Sequence, residues 1–138
     1  TYFASAAQEA IVVISPEPTS LTDAYALMKV LCRQHRERRF KVLVNLAKSQ
    51  REATQTFRKL DIAAERFLNI GLEYLGFIPL DDYLPMAVIE QKAVTERFPC
   101  APSSRAFMEL AKHVAEWPDP QLPKSTVQFL WQQLIPMP

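Results

Sequence analysis

The chain has 138 residues, of which 49% are hydrophobic and 22% are charged, which is ordinary for one globular domain and unlike a disordered chain. Because 16 basic side chains nearly balance 15 acidic ones, the formal net charge of +1 attracts neither nucleic acid nor anionic lipid. No apolar run approaches the roughly 18 residues that span a bilayer, and no signal peptide is recognisable. These features predict a soluble cytoplasmic protein without direct nucleic-acid binding.

The cysteines and histidines offer no metal-binding pattern. Cys32 and Cys100 lack a C-x-x-C spacing, which in a cytoplasmic protein predicts reduced thiols. His35 and His113 have no Cys, Asp or Glu at the spacing of metal ligands. We therefore expect no metal site.

Glycine is scarce, with only Gly71 and Gly76 in the chain. Phosphate-binding loops need several glycines because backbone N–H groups must approach the anion closely. Neither G-x-x-x-x-G-K-S/T nor G-x-G-x-x-G occurs, and the first residue is Thr1 rather than methionine. We therefore expect a piece of a longer protein that cannot hydrolyse a nucleoside triphosphate alone.

Three short apolar runs rich in β-branched and aromatic residues predict buried strands at residues 10–15, 40–45 and 72–78. The segments between them have helical periodicity. This alternation predicts an α/β fold, part of a doubly wound parallel sheet covered on both faces, with three strands here and further strands elsewhere.

Only helices are predicted beyond the third strand, near residues 86–91, 103–117 and 125–135. The prolines at 118, 120 and 123 predict a stiff linker, since each fixes φ and removes a donor. The predicted organisation is a domain over residues 1–117, a Pro-rich linker over 118–124 and an amphipathic C-terminal helix over 125–138.

Ligands of doubly wound sheets bind beyond the carboxyl ends of the strands, so the residues that leave each strand are the first candidates. The first strand is followed by Pro16, Glu17, Pro18, Thr19 and Ser20. The prolines stiffen this loop, and Thr19 or Ser20 is expected to cap the next helix. The same residues also fit a plain rigid turn.

The other two exits contain an amide and a proline followed by carboxylates. Asn45 ends the second strand, and its side chain can either read the edge of a base or bond local backbone. The third strand ends in Pro79, Leu80 and Asp81, where a planar ring could pack on the proline. Pro-x-Asp-Asp also describes many turns.

These exits carry three stretches, PEPTSLTDAYALMK at residues 16–29, FKVLVN at 40–45 and YLGFIP at 74–79. In this order and spacing they closely resemble the C-terminal half of the MinD/ParA-type ATPases, and the similarity extends over nearly the whole chain. The resemblance implies a P-loop NTPase-like fold whose N-terminal strands are missing here, in a protein that regulates flagellar number.

The same resemblance implies a switch that uses ATP with Mg²⁺ in the full-length protein, forms a homodimer with ATP and controls flagellar number and gene expression. Its implied partners are the flagellar master transcription activator and the flagellar GTPase FlhF, with peripheral contact at the inner face of the cell membrane. Asn45, Pro79, Leu80 and Asp81 would bind the adenine, and residues 16–20 would lie near the nucleotide or the dimer interface. The family's catalytic residues precede Thr1, so none is assigned here.

The predicted last helix carries one apolar stripe. Its members are Val127, Leu130, Trp131, Leu134 and Ile135. Such a stripe is usually packed on a core, but its terminal position and the membrane-targeting helix of the resembled family equally support a membrane or partner surface. We expect the helix to be docked in the resting state and released by the switch.

A second hypothesis, from another class, is that the chain is a non-catalytic protein-interaction module, a scaffold for a transcription regulator.

Changing both Trp131 and Leu134 to Glu should separate the two interpretations of the stripe. On a free membrane or partner surface, the change should abolish liposome or partner binding with little effect on thermal stability. On a packed face, it should destabilise the fold by several kcal/mol, because charge is buried against apolar neighbours. Thermal melts and co-sedimentation with liposomes measure both effects, and a large fall in melting temperature would exclude the free-surface interpretation.

Overall fold

The computed structural model describes residues 10–35 and 38–117. The elements in this part are β1 (Ile11–Ile14), α1 (Pro18–His35), β2 (Phe40–Ala47), α2 (Gln50–Leu68), β3 (Leu72–Pro79), α3 (Tyr83–Ile89), α4 (Val94–Arg97) and α5 (Pro102–Ala115). The predicted order of strands and helices is confirmed, while the short α4 was not predicted and α3 begins three residues earlier than expected. The predicted linker and terminal helix, residues 118–138, lie outside the described residues.

The three strands form one parallel sheet in the order β1-β2-β3. Ile14 is paired with Val44, which is in turn paired with Phe77, so β2 is the central strand of the three. Parallel neighbours require crossover connections, and α1 and α2 supply them. The predicted α/β fold class is confirmed.

One face of the sheet carries the main core, because α1 and α2 both pack on it. Phe40, Val42 and Val44 alternate along β2 and are almost completely buried. The helix residues of this core follow the predicted helical spacing and are Ala24, Met28, Leu31, Ala53, Leu60 and Ala64.

Both ends of α2 are capped by its own sequence. The Ser49 hydroxyl accepts from the backbone N–H of Glu52, and the Glu52 carboxylate accepts from the backbone N–H of Lys48. This closely resembles the capping box that an S-x-x-E sequence forms. The C-terminal cap is Asn69 in the left-handed conformation, a residue that tolerates positive φ.

The second face of the sheet is covered in part by the described residues. Lys41 alternates with the core residues of β2 and contacts the Trp117 ring just beyond α5, which places that end of α5 on the second face. On β1, however, Ile11 and Val13 are exposed, Val13 to 55%. Among the described residues, the helix that reaches this face packs mainly on β3.

Lys41 also joins two strands to the end of α5. Its ammonium lies 2.6 Å from a carboxylate oxygen of Glu73, its cross-strand partner, and 4.6 Å from the centre of the Trp117 ring. The Lys41 side chain is mostly buried, which strengthens both contacts.

Replacing Lys41 with Met keeps the apolar stem and removes both charge contacts, and should reduce the free energy of unfolding by about 1–2 kcal/mol. Lys112→Met is the matched control, since its pair with Glu109 is exposed on both sides and should contribute little to stability. Urea denaturation measures the difference. Equal small losses in the two variants would contradict an anchoring role for Lys41.

Candidate nucleotide-binding edge

The three predicted strand exits meet at one edge of the sheet. Ile14, Val44 and Phe77 are paired across the sheet in one row, and each chain segment leaves the same edge just beyond it. This edge is formed by the carboxyl ends of the strands, where ligands of open α/β sheets bind. The structure therefore brings residues 15–20, Asn45 and residues 79–81 to a common edge.

The loop after β1 is held by a hydrogen bond that bridges the strand and the helix. The backbone N–H of Ser15 donates to the Ser20 hydroxyl at 2.9 Å. The expectation that Thr19 or Ser20 caps α1 is wrong, because α1 begins at Pro18 and both lie in its first turn. The first helical N–H···O bond runs from Leu21 to Glu17, so Glu17 is the cap position and Pro18 is the first helical residue, where a missing N–H costs nothing.

Asn45 lies in a β-bulge near the end of β2. Val44 is paired with Phe77 and Ala47 with Pro79, so Asn45 and Leu46 together face the single residue between them on β3. The Asn45 amide is partly buried, and its Oδ1 accepts from the backbone N–H of Leu46 at 3.0 Å. Bonding to local backbone was one of the two alternatives that sequence analysis gave for Asn45. The amide N–H groups remain as donors for a ligand.

Leu46 is the residue of this edge that sequence analysis missed. Its φ is 58°, in the left-handed region that side chains with a Cβ rarely adopt, and its side chain is 41% exposed. In the sequence it reads as one more apolar residue of a strand. The only hint was its place directly before the small Ala47, which fills the core position instead.

Pro79 and Leu80 leave β3 beside this bulge. The backbone N–H of Leu80 donates to the carbonyl of Ala47 at 2.9 Å, which fixes the segment to the end of β2. Pro79 is partly buried and Leu80 is 49% exposed. A proline ring and a leucine side chain therefore lie next to Asn45 and Leu46 at the edge.

Asp81 holds two helix starts with one carboxylate. Its Oδ1 accepts from the backbone N–H of Leu84 at 2.9 Å, in the first turn of α3, and its Oδ2 accepts from the backbone N–H of Ser103 at 2.8 Å, in the first turn of α5. Neither Asp82 nor Ala101, the residues directly before these helices, makes a side-chain cap. Asp81 therefore supplies the cap for both.

The hydrogen bonds to Asp81 favour the ionised form of its carboxyl group. Burial of the Asp81 carboxyl raises its pKa, but the hydrogen bonds from Leu84, Ser103 and Tyr83 together outweigh burial and leave the pKa below its ordinary value. A lowered pKa means that the ionised form stabilises the fold. That stabilisation is present above the pKa of the unfolded chain and is lost as the pH falls through the lower, folded pKa.

Replacing Asp81 with Asn should lower the free energy of unfolding by about 1–3 kcal/mol near neutral pH, because one of its two acceptor positions becomes a donor. The difference from wild type should shrink as the pH falls below about 4, where the carboxyl is protonated in the unfolded chain. Asp82→Asn is the matched control and should change little, since Asp82 makes no cap bond. Urea denaturation at a series of pH values checks this, and a pH-independent difference would exclude the ionised cap.

Comparison with known proteins identifies the family. Residues 3–135 match the family model described as 4Fe-4S iron sulfur cluster binding proteins, NifH/frxC family.

None of the helices within residues 10–35 and 38–117 combines the length and apolar character needed to cross a membrane.

The two cysteines of this chain do not fit an iron–sulphur cluster. Such a cluster takes four thiolates, whereas Cys32 on α1 packs beside the main core and Cys100 is exposed before α5. The two cysteines are not joined by a disulfide. Across residues 10–35 and 38–117, no three His, Cys, Asp or Glu side chains are grouped so that they could hold a metal ion.

Two curated relatives are informative. The chain is 44% identical over 136 residues to the antiactivator FleN of Pseudomonas aeruginosa, a match that covers 99% of this chain and 49% of FleN. It is 26% identical over 110 residues to the flagellum site-determining protein YlxH of Helicobacter pylori, covering 79% of this chain and 37% of that protein. The chain thus spans half or less of these relatives. With the family model matched over almost its whole length, the chain belongs to the NifH/frxC family of P-loop ATPases, to which the MinD/ParA type is related.

Proposed function

We propose that this chain is the base-binding part of an ATP-dependent switch that regulates flagellar number and flagellar gene expression. The supporting observation is the convergence of a partly buried amide, a proline and two exposed leucines at the carboxyl edge of the sheet. One relative is named an antiactivator and the other a flagellum site-determining protein, which supports the regulatory role.

The edge suits a purine. In the proposed complex the amide N–H groups of Asn45 donate to ring nitrogens of the adenine, while Pro79 and Leu80 contact the ring face. Asp81, which the resemblance also assigns to the adenine, holds this segment in place, since each of its oxygens accepts a backbone N–H group. Mg²⁺ and the phosphate loop of the full-length protein would supply the charge neutralisation that phosphoryl transfer requires.

The open side of β1 supports a larger sheet in the full-length protein. A cleft of about 470 Å³ runs along this strand and is lined by residues that include Ile11, Val13, Thr19, Ser20 and Leu27. An edge strand with exposed apolar side chains pairs readily with a further strand. In our proposal the rest of the protein covers this edge, and residues 16–20 then lie near the nucleotide and the dimer interface.

The remaining functions are proposed from the family. ATP would dimerise the full-length protein, and the apolar stripe of residues 127–135, outside the described residues, would then engage the membrane or a partner. The proposed partners are the flagellar master transcription activator and the GTPase FlhF. The proposed location is the cytoplasm, with reversible contact at the membrane.

One observation favours the second candidate, a protein-interaction module. Leu84 and Val88 of α3 and Phe107, Met108 and Ala111 of α5 line an apolar groove of about 600 Å³. Val88 and Ile89 are strongly exposed, and exposed apolar patches mark interaction sites. A scaffold would bind its regulator through such a surface whether or not ATP is present.

Replacing Asn45 with Ala in the full-length protein should weaken ATP binding by about 1–3 kcal/mol, because a base-edge hydrogen bond is lost. Asn45→Asp sharpens the test, since a carboxylate can still accept from the Leu46 N–H but has no N–H to donate. It should keep the fold and lose affinity. Isothermal calorimetry with ATP and Mg²⁺ measures the effect.

The matched control is Gln55→Ala, which removes an exposed amide from the surface of α2 and should leave affinity unchanged. Unchanged ATP affinity in both Asn45 variants, with the fold retained, would exclude the base contact. If the wild-type protein bound the purified activator equally well with and without ATP, the scaffold function would replace the switch.

A further inference from the structure

We infer that the bulge at Asn45 and Leu46 exists to hold Leu46 out of the core as an apolar wall for the purine base, which makes Leu46 a determinant of base affinity. This inference rests on the proposed nucleotide-binding function. It concerns a residue to which neither the sequence pattern nor the resemblance assigned a role.

The alternation of β2 shows that Leu46 has been diverted. Phe40, Val42 and Val44 face the core that α1 and α2 cover, and a regular strand would send Leu46 to the same side. The bulge inserts one residue, so Ala47 enters this core, fully buried, and Leu46 is left 41% exposed. The fold thus gives up the burial of a leucine and fills its place with an alanine.

The diversion also strains the backbone. Leu46 has a φ of 58°, whereas the other bulge of the sheet, where the pairing shifts between Val42 and Leu43, is accompanied by positive φ at Gly76, a residue without a Cβ. A leucine in this conformation is retained only where its surroundings or its function require it. Lost burial and backbone strain both oppose stability, so a gain elsewhere is needed to explain Leu46.

The surroundings of Leu46 indicate what that gain is. Asn45 Oδ1 accepts from the Leu46 N–H, and Ala47 accepts from the N–H of Leu80, so the two exposed leucines lie on adjoining segments beside the amide and Pro79. None of these side chains is charged, so a phosphate or carboxylate would find no counter-charge among them. A neutral planar ring with acceptors at its edge matches both the apolar side chains and the amide donors.

The test compares stability and affinity in the full-length protein. Leu46→Gly should raise the urea midpoint, because glycine adopts positive φ without strain, and should weaken ATP binding about tenfold through loss of apolar contact with the base. Leu46→Asn keeps a side chain of similar size and tolerates the same backbone, and should also weaken binding. A higher urea midpoint together with weaker ATP binding in Leu46→Gly would show that backbone strain is retained for ligand binding.

The matched control is Gln91→Gly, since Gln91 has a φ of 54° and lies beyond the end of α3. It should raise the urea midpoint without changing ATP affinity. Unchanged affinity in both Leu46 variants would overturn the inference while leaving the proposed function intact. A lowered urea midpoint in Leu46→Gly would also overturn it, because Leu46 would then be a packing contact. Absence of ATP binding in the wild-type protein would instead remove the proposed function itself.

Discussion

Parallel pairing of β2 with both of its neighbours is the constraint on which the candidate site depends. Parallel strands leave a sheet at a common edge, so the row Ile14–Val44–Phe77 brings three loops, far apart in sequence, to one place. The crossover helices α1 and α2 must then pack on the sheet, and their apolar residues form the main core. The register of the sheet therefore determines both the fold and the position of the candidate site.

Asp81 extends this order from the sheet to the helices beyond it. Through hydrogen bonds to Leu84 and Ser103, it ties the end of β3 to the first turns of α3 and α5. These helices line the apolar groove proposed as an interaction surface, so the candidate base-binding edge and the groove share one carboxylate. Asp81 therefore fixes the position of the segment that contains Pro79 and Leu80 relative to the two helices of the groove.

The regular parts of the fold were predictable because they depend on apolar periodicity. The strands at residues 10–15, 40–45 and 72–78 and the helices between them follow directly from that periodicity. The caps were harder to predict. Ser49 and Glu52 form a recognisable S-x-x-E signal, but Asp81 caps α5 across 22 residues, a distance that no local pattern reveals. The double role of Asp81 depends on tertiary contacts, which no sequence pattern encodes.

The site was predictable only in outline, because its detail arises from departures from regularity. Asn45 could be singled out by its residue type and its place at a strand exit. The bulge that turns Leu46 outwards could not, since leucine in a β-strand predicts burial and carries no signal for positive φ. The bulge near Gly76 was easier to anticipate, because a glycine in a strand does suggest an irregularity. Backbone strain at an ordinary residue such as Leu46 leaves no signal in the sequence. The other bulge of the sheet has its positive φ at a glycine, and this contrast is what supports the role inferred for Leu46.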